Sequence, residues 1–334
     1  ATTGEEAAEA TAALRQWVSE GVTAWRVALG AAHQRVNAKK LCQFCIFCPG
    51  ELNPNQEETD GRLELGVVHK TVMNITAYQA FNMLSGDLWF PLDGQTDGST
   101  ILSAKKSKIS LLDPNGNKQD FTGTFAFDSE GGLNWTSSTL KGFVQYSSGS
   151  QMWSASGATI KGTDYYDFIS QEDYQGYVDF ALSGNDKITG SKFDDILDAG
   201  AGVNSIDGKA GNDLLISNGG IDNFTGGKGA DAFVLDVGYS GWSVATASTF
   251  KDFKANEGDQ VLVDTGNETE DNLQQVSSFS GNAWEYTATS LKGGFLLSFD
   301  TDGDGSADSF FKLMGVKTFT SDWVVEQNAA AIQA

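Results

Sequence analysis

Residues 181–234 read ALSGNDKIT, GSKFDDILD, AGAGVNSID, GKAGNDLLI, SNGGIDNFT and GGKGADAFV, six registers of nine with no gap between them. The sixth column holds Asp186, Asp195, Asn204, Asp213, Asp222 and Asp231. The eighth holds Ile188, Leu197, Ile206, Leu215, Phe224 and Phe233, and the fourth holds Gly184, Phe193, Gly202, Gly211, Gly220 and Gly229. A period kept over six units, with one apolar and one acidic column, marks a stack of similar units rather than a disordered Gly/Asp-rich loop. Each unit reads as a glycine turn followed by a short strand. Glycine admits positive φ and close backbone approach, and the eighth-column side chain points inward onto the next coil. The turn aspartate offers a hard oxygen ligand, which suits calcium.

These columns follow G-G-x-G-x-D-x-U-x and closely resemble the RTX (hemolysin-type) family of secreted bacterial proteins. The resemblance implies a parallel β-roll filled with Ca2+. The ion would be held by the six sixth-column residues and by the backbone at Gly184, Gly202, Gly211, Gly220 and Gly229. With two nonamers to a coil, one side carries Asp186, Asn204 and Asp222, and the other carries Asp195, Asp213 and Asp231. The all-Asp side is expected to bind calcium more tightly, because Asn204 removes a charge. Phe193 breaks the glycine column in the second repeat.

Composition sets the frame for the rest. The chain has 334 residues, enough for about two domains. A net charge of −22 argues against a nucleic-acid partner and fits bound calcium that neutralises part of it. Apolar residues at 40% and aromatics at 11% exclude a wholly disordered chain. No window of about 18 uncharged apolar residues exists to span a membrane. The first residues, ATTGEEAAEA, have neither the basic nor the apolar region of a signal peptide. By the resemblance, export would instead use a C-terminal signal and a one-step type I route, and Trp323 to Ala334 fits that by composition.

The expected fold is mainly β: a parallel β-roll between a β-sandwich-like domain and a C-terminal β cap, with a long N-terminal amphipathic helix. Residues 1–40 form that helix, with Val18, Val22, Trp25, Leu29, Ala32 and Val36 on one face and a charge order that complements the helix dipole. It packs on its own domain or docks on a neighbouring subunit. A linker over 41–60 carries Cys42, Cys45 and Cys48, all the cysteines of the chain. With His33 or His69 they offer a Cys3His zinc set, a disulfide with one spare thiol, or buried small apolar side chains. Strands and turn signals alternate from residue 61, giving a β-rich domain over 61–180 that ends in a short helix near 165–182. The roll takes 181–236, and the cap takes 237–334 with Phe250, Phe253, Val261 and Leu262 in its core. Within the cap, Asp300, Asp302, Asp304, Gly305 and Asp308 have calcium-loop spacing. Phe311 replaces the glutamate of an EF-hand and the flanks read as strands, so the loop resembles a β-hairpin calcium loop near the C-termini of RTX proteins.

No catalytic set is legible. There is no H-E-x-x-H. The run Gly238-Tyr239-Ser240-Gly241 is one residue short of a lipase elbow, and no histidine follows His69. The β-domain carboxylates Glu64, Asp87, Asp93 and Asp97 have no diagnostic context. Trp89, Trp135 and Trp153 offer either a sugar-stacking platform or core. The expectation is therefore a secreted, non-enzymatic, calcium-binding structural or adhesive protein of the cell surface. It folds in extracellular calcium and self-associates into an oligomer, layer or filament. A carbohydrate-binding module for a surface glycan, or a carboxylate-dependent polysaccharide enzyme, are the alternatives.

Overall fold

The eighth-column side chains explain why the repeat folds at all. Ile188, Leu197, Leu215, Phe224 and Phe233 are fully buried, and Ile206 nearly so. Burying each contributes about 1.5–3 kcal/mol. A three-residue strand cannot hide such a side chain alone, so coils must stack. The computed structural model describes residues 71–83, 99–113, 115–170, 173–217, 220–236, 243–264 and 273–327. The expected N-terminal helix, the cysteines, the linker, Trp89, the four β-domain carboxylates, residues 238–241 and the end of the tail lie outside these residues.

Strand β1 (Asn74–Ala77) opens the described chain. An antiparallel meander follows: β2 (Thr100–Lys105), β3 (Lys108–Leu112), β4 (Lys118–Thr124), β5 (Thr139–Ser147) and β6 (Ser150–Lys161). Helices α1 (Gly162–Ser170) and α2 (Tyr174–Ala181) then lead into the repeat. The repeat supplies β7 (Lys187–Thr189), β8 (Ile196–Asp198), β9 (Ser205–Asp207), β10 (Leu214–Ser217), β11 (Asn223–Thr225) and β12 (Ala232–Asp236). Beyond it come β13 (Ser248–Phe250), β14 (Gln260–Asp264), β15 (Gln274–Gln275), β16 (Glu285–Leu291), β17 (Gly294–Asp300), β18 (Ser309–Met314) and β19 (Val324–Gln327).

These strands make two sheets. One runs β15-β16-β17-β18-β13-β11-β9-β7-β1-β6-β5-β4-β3-β2, and the other runs β19-β14-β12-β10-β8. Odd repeats pair in parallel in the first sheet, with Ile188 opposite Ile206 and Ile206 opposite Phe224. Even repeats do the same in the second, Leu197 opposite Leu215 and Leu215 opposite Phe233. The alternation of sides expected from the nonamer is thus the observed wall-to-wall winding.

The roll is longer than the repeat. Before it, β1 pairs in parallel with β7, Ile75 opposite Ile188, and Asn82 forms a parallel bridge to Ile196. Residues 73–83 therefore make one earlier coil. After it, β13 and β14 add a coil, placing Phe250 on Phe224 and Val261 on Phe233. Strands β18 and β19 add a last one. Phe250, Phe253, Val261 and Leu262 are all buried, as the cap required, but β13 and β14 lie on opposite walls and do not form a hairpin. Between these last two coils the chain extends the first sheet: β17 pairs antiparallel with β18, β16 antiparallel with β17, and β15 parallel with β16.

The sandwich expected for 61–180 is replaced by an excursion from the first coil. Its last strand, β6, pairs antiparallel with the free edge of β1, so the meander continues the wall of the roll. Among the described residues no second sheet faces it. Its Ile109, Leu111, Phe121, Phe143 and Trp153 join the same continuous core as Ile75, Ile188 and Leu215 of the roll. Trp153 is buried against Phe81 and Phe143, and Trp135 packs on Tyr165 and Tyr166. The helix expected near 165–182 is two helices, broken ahead of Asp173, whose carboxylate caps α2 at the Gly176 N–H. Tyr165 and Tyr177 are buried between them, and Thr71 Oγ1 donates to the Phe180 and Ala181 carbonyls at the end of α2.

Asp120 is the buried charge of the meander. Lys108 Nζ donates to it at 2.8 Å, Lys118 Nζ at 2.7 Å and Ser110 Oγ at 2.7 Å. Burial alone would raise its carboxyl, but these three bonds outweigh that and hold it at about 2. A folded value below the ordinary 3.8 contributes stability above about pH 4, which is lost as pH falls towards 2. Asp120→Asn is expected to cost about 1–2 kcal/mol at neutral pH, the half-exposed lysines limiting the loss. A denaturant midpoint equal to wild type at pH 7 would contradict this.

Candidate metal centres

Each sixth-column side chain is at most 2% exposed. They form two ladders, each rung reaching back to the backbone of the preceding coil. On the even side, Oδ1 of Asp195 accepts from the Phe81 N–H at 2.7 Å, Asp213 from Asp195 at 2.9 Å, Asp231 from Asp213 at 3.0 Å, and Asp259 from Asp231 at 3.0 Å. On the odd side, Asp186 accepts from Met73 at 2.6 Å, Asn204 from Asp186 at 2.8 Å, Asp222 from Asn204 at 3.0 Å, and Ser248 Oγ from Asp222 at 3.0 Å. One oxygen per residue thus satisfies a buried turn N–H.

The second oxygen decides the chemistry. Oδ2 of Asp186, Asp213 and Asp231 is buried without a hydrogen-bond partner among the described residues. Burial pushes Asp213 up to about 9, and the charges of Asp231 and Asp195 add to it. Burial likewise pushes Asp231 and Asp186 up to about 6, and Asp222 to about 7. A buried carboxylate oxygen that no N–H reaches calls for a proton or a cation.

On the even side the first-column glycines leave these oxygens uncovered by any side chain of their own turn. A Cβ placed on Gly208 would lie 2.3 Å from Asp213 Oδ2 and 2.7 Å from the Gly226 carbonyl oxygen. One on Gly190 would lie 2.5 Å from the Gly208 carbonyl oxygen and 2.8 Å from Asp195 Oδ2, and one on Gly226 would lie 2.2 Å from Asp231 Oδ2. A carboxylate and a backbone carbonyl converging on one space are the oxygen donors calcium takes. The fourth-column glycines do a different job. Gly202, Gly211, Gly220 and Gly229 have φ of +111° to +124°, and a Cβ there would come within 1.8–2.4 Å of the preceding coil's backbone. They let the coils touch, while first-column Gly190, Gly208 and Gly226 line the cradles. The signal for them was legible in the first column, which alternates Ala181, Gly190, Ala199, Gly208, Ser217, Gly226.

A family model, the RTX calcium-binding nonapeptide repeat in four copies, matches residues 180–215. Residues 180–215 thus carry the RTX repeat. Among solved structures, the chain is similar to a subunit of the mannuronan C5-epimerase of Azotobacter vinelandii, at 21% identity and a TM-score of 0.33, over 43% of this chain and 79% of that one. No curated protein matches the chain.

The RTX stack continues past the matched residues. Asp259 takes the next even rung, its Oδ2 accepting from the Lys254 N–H at 2.8 Å. Sequence reading passed over it, although Asp259 and Val261 repeat the spacing of Asp231 and Phe233. Asp252 accepts from the N–H groups of Gly226 and Gly227, and Glu257 from that of Gly229. Lys254 Nζ donates to the Gly227 carbonyl and to Glu257, and lies 3.9 Å from Asp252. A tethered ammonium therefore ends the even stack of RTX turns.

A second acidic cluster lies outside the RTX match. The hairpin between β17 and β18 brings oxygens of Asp300, Asp302 and Asp304 within 4.8 Å of one another. Gly303 and Gly305, both at positive φ, donate their N–H groups to Asp300. Asp308, the fourth residue of the expected set, is turned the other way: its Oδ2 accepts from the N–H and Oγ1 of Thr301 at 2.7 and 2.6 Å. It braces the hairpin.

Proposed function

We propose that this chain is a secreted calcium-binding protein of structural or adhesive type, whose roll folds on meeting extracellular calcium. The observation that carries this is the pair of buried, unpartnered oxygens on Asp213 and Asp231, set beside glycines whose missing Cβ leaves room for an ion. Asp195, Asp213, Asp231 and the carbonyls of Gly208 and Gly226 hold the ion. Calcium supplies the positive charge that lets neighbouring carboxylates lie buried and ionised. Where calcium is scarce the stack repels itself, and metal binding becomes folding free energy outside the cell. Among the described residues no helix is long and apolar enough to cross a membrane.

Assembly is the proposed use of the folded roll. Strand β2 ends the first sheet among the described residues, and its Ile101 and Leu102 are 58% and 50% exposed. An apolar end strand favours strand addition from another chain. Large calcium-dependent particles in light scattering support assembly, whereas a monomer with and without chelator removes it. Trp153, buried in the meander, is withdrawn from any glycan platform.

Asp213→Asn is expected to raise the calcium midpoint of folding by about tenfold, which is about 1.4 kcal/mol. The carboxamide keeps the Oδ1 rung and removes the charge. Circular dichroism during a calcium titration reads this, and a midpoint unchanged from wild type would remove Asp213 from the metal set.

A further inference from the structure

The two turn stacks differ in the residues that surround the second carboxylate oxygen. On the even side the first column is glycine; Asp195 Oδ2 accepts from the Ser191 N–H at 2.6 Å, but Asp213 and Asp231 are left with unpartnered oxygens. On the odd side the same column holds Ala181, Ala199 and Ser217, all fully or nearly buried, so a Cβ occupies the position that is open beside Gly190, Gly208 and Gly226. Asp222 then has both oxygens engaged by its own coil neighbours. Its Oδ1 accepts from the Asn204 N–H at 3.0 Å and from Asn204 Nδ2 at 2.9 Å, and its Oδ2 accepts from Ser217 Oγ at 3.2 Å. The next rung is a hydroxyl, Ser248, which brings no charge. Asn204 Nδ2 donates where a carboxylate would repel.

We infer that the odd stack from Asn204 to Ser248 is a metal-free seam, closed by the carboxamide of Asn204 and the hydroxyl of Ser217, and that calcium bound between the coils of Asn204 and Ser248 is confined to the even stack. This rests on the calcium reading proposed above and assigns it to one side. An amide N–H and a hydroxyl take up the two oxygens that a divalent cation would otherwise hold. The odd wall then closes by hydrogen bonds alone, and only the even wall waits for metal. The open oxygen of Asp186 lies beyond the seam, at its N-terminal end.

The test is the number of calcium ions bound per full-length chain, counted by native mass spectrometry and by equilibrium dialysis. Ser217→Ala and Asn204→Ala are expected to bind as many ions as wild type while lowering stability. Asn204→Asp with Ser217→Gly rebuilds the even-side chemistry on the odd side. It is expected to bind one more ion than wild type and to need more calcium to fold. An ion lost in Ser217→Ala, or no ion gained in the double variant folded in excess calcium, overturns the inference. A wild-type chain that binds no calcium removes the underlying reading, and the seam with it. That result is distinct, because it appears before any variant is made.

Discussion

Chelating calcium from the folded protein is expected to abolish amide protection across residues 205–236 and to lower it less across the meander, 108–161. Asp213 and Asp231 lie one coil apart, both fully buried, each with an oxygen that no N–H reaches. Holding such a carboxylate ionised without a partner costs several kcal/mol. Sites of extracellular affinity, about 10⁻⁴–10⁻³ M, would each add about 1.4–2.7 kcal/mol at about 10 mM calcium. Two of them match a large share of the roughly 5–15 kcal/mol that holds a typical domain. The meander holds none of the unpartnered carboxylate oxygens. Its Phe121, Phe143 and Trp153 share one continuous core with Ile188, Leu215 and Phe233 of the roll, so its protection falls in part. Hydrogen exchange in calcium and in chelator reads both regions at once. Equal protection of 205–236 in the two conditions would contradict calcium-driven folding of the roll.

How far the sequence led depended on whether a residue stood in a fixed register. The apolar column Ile188 to Phe233 repeats at nine, so the winding, the two walls and the alternation of sides are all legible in the sequence. The earlier coil around Ile75 and Phe81 was not, because residues 73–83 carry neither the glycines nor the aspartates. They join the roll by offering N–H groups to Asp186 and Asp195 and by pairing with β7. The coil of Phe250 and Val261 was hidden by longer turns, 26 residues from Phe224 to Phe250 and 28 from Phe233 to Val261, where the repeat allows 18. The sandwich was misjudged for a related reason. Alternating strands state that one face is buried, but not which sheet they join, and the free edge of β1 decided that. In the metal stack the acidic column was obvious, whereas the first-column glycines matter only once the coils are superposed and the missing Cβ becomes a space.

That space gives the sharpest contrast between two glycines of the same roll. Gly208→Ala is expected to fold in excess calcium but to raise the calcium midpoint at least about tenfold, about 1.4 kcal/mol or more. Gly208 is not at positive φ, so its backbone accepts a side chain, and the odd-side position that corresponds to it is already Ala199. The new methyl would stand 2.3 Å from Asp213 Oδ2 and 2.7 Å from the Gly226 carbonyl oxygen, the two oxygens offered to the ion, so that carbonyl must give by a few tenths of an ångström as well. The carboxylate must turn away, which also strains the rung to the Asp195 N–H. Gly229→Ala is expected to do something else. Gly229 has φ of +124°, and its Cβ would meet the Gly211 carbonyl oxygen at 1.9 Å. Backbone on one side and a left-handed conformation on the other leave no relaxation, so the coils separate whatever the calcium concentration. Circular dichroism of both variants across a calcium titration separates the roles: a shifted but complete transition for Gly208→Ala, and none for Gly229→Ala. If excess calcium restores both equally, the first-column glycines do not line the metal site.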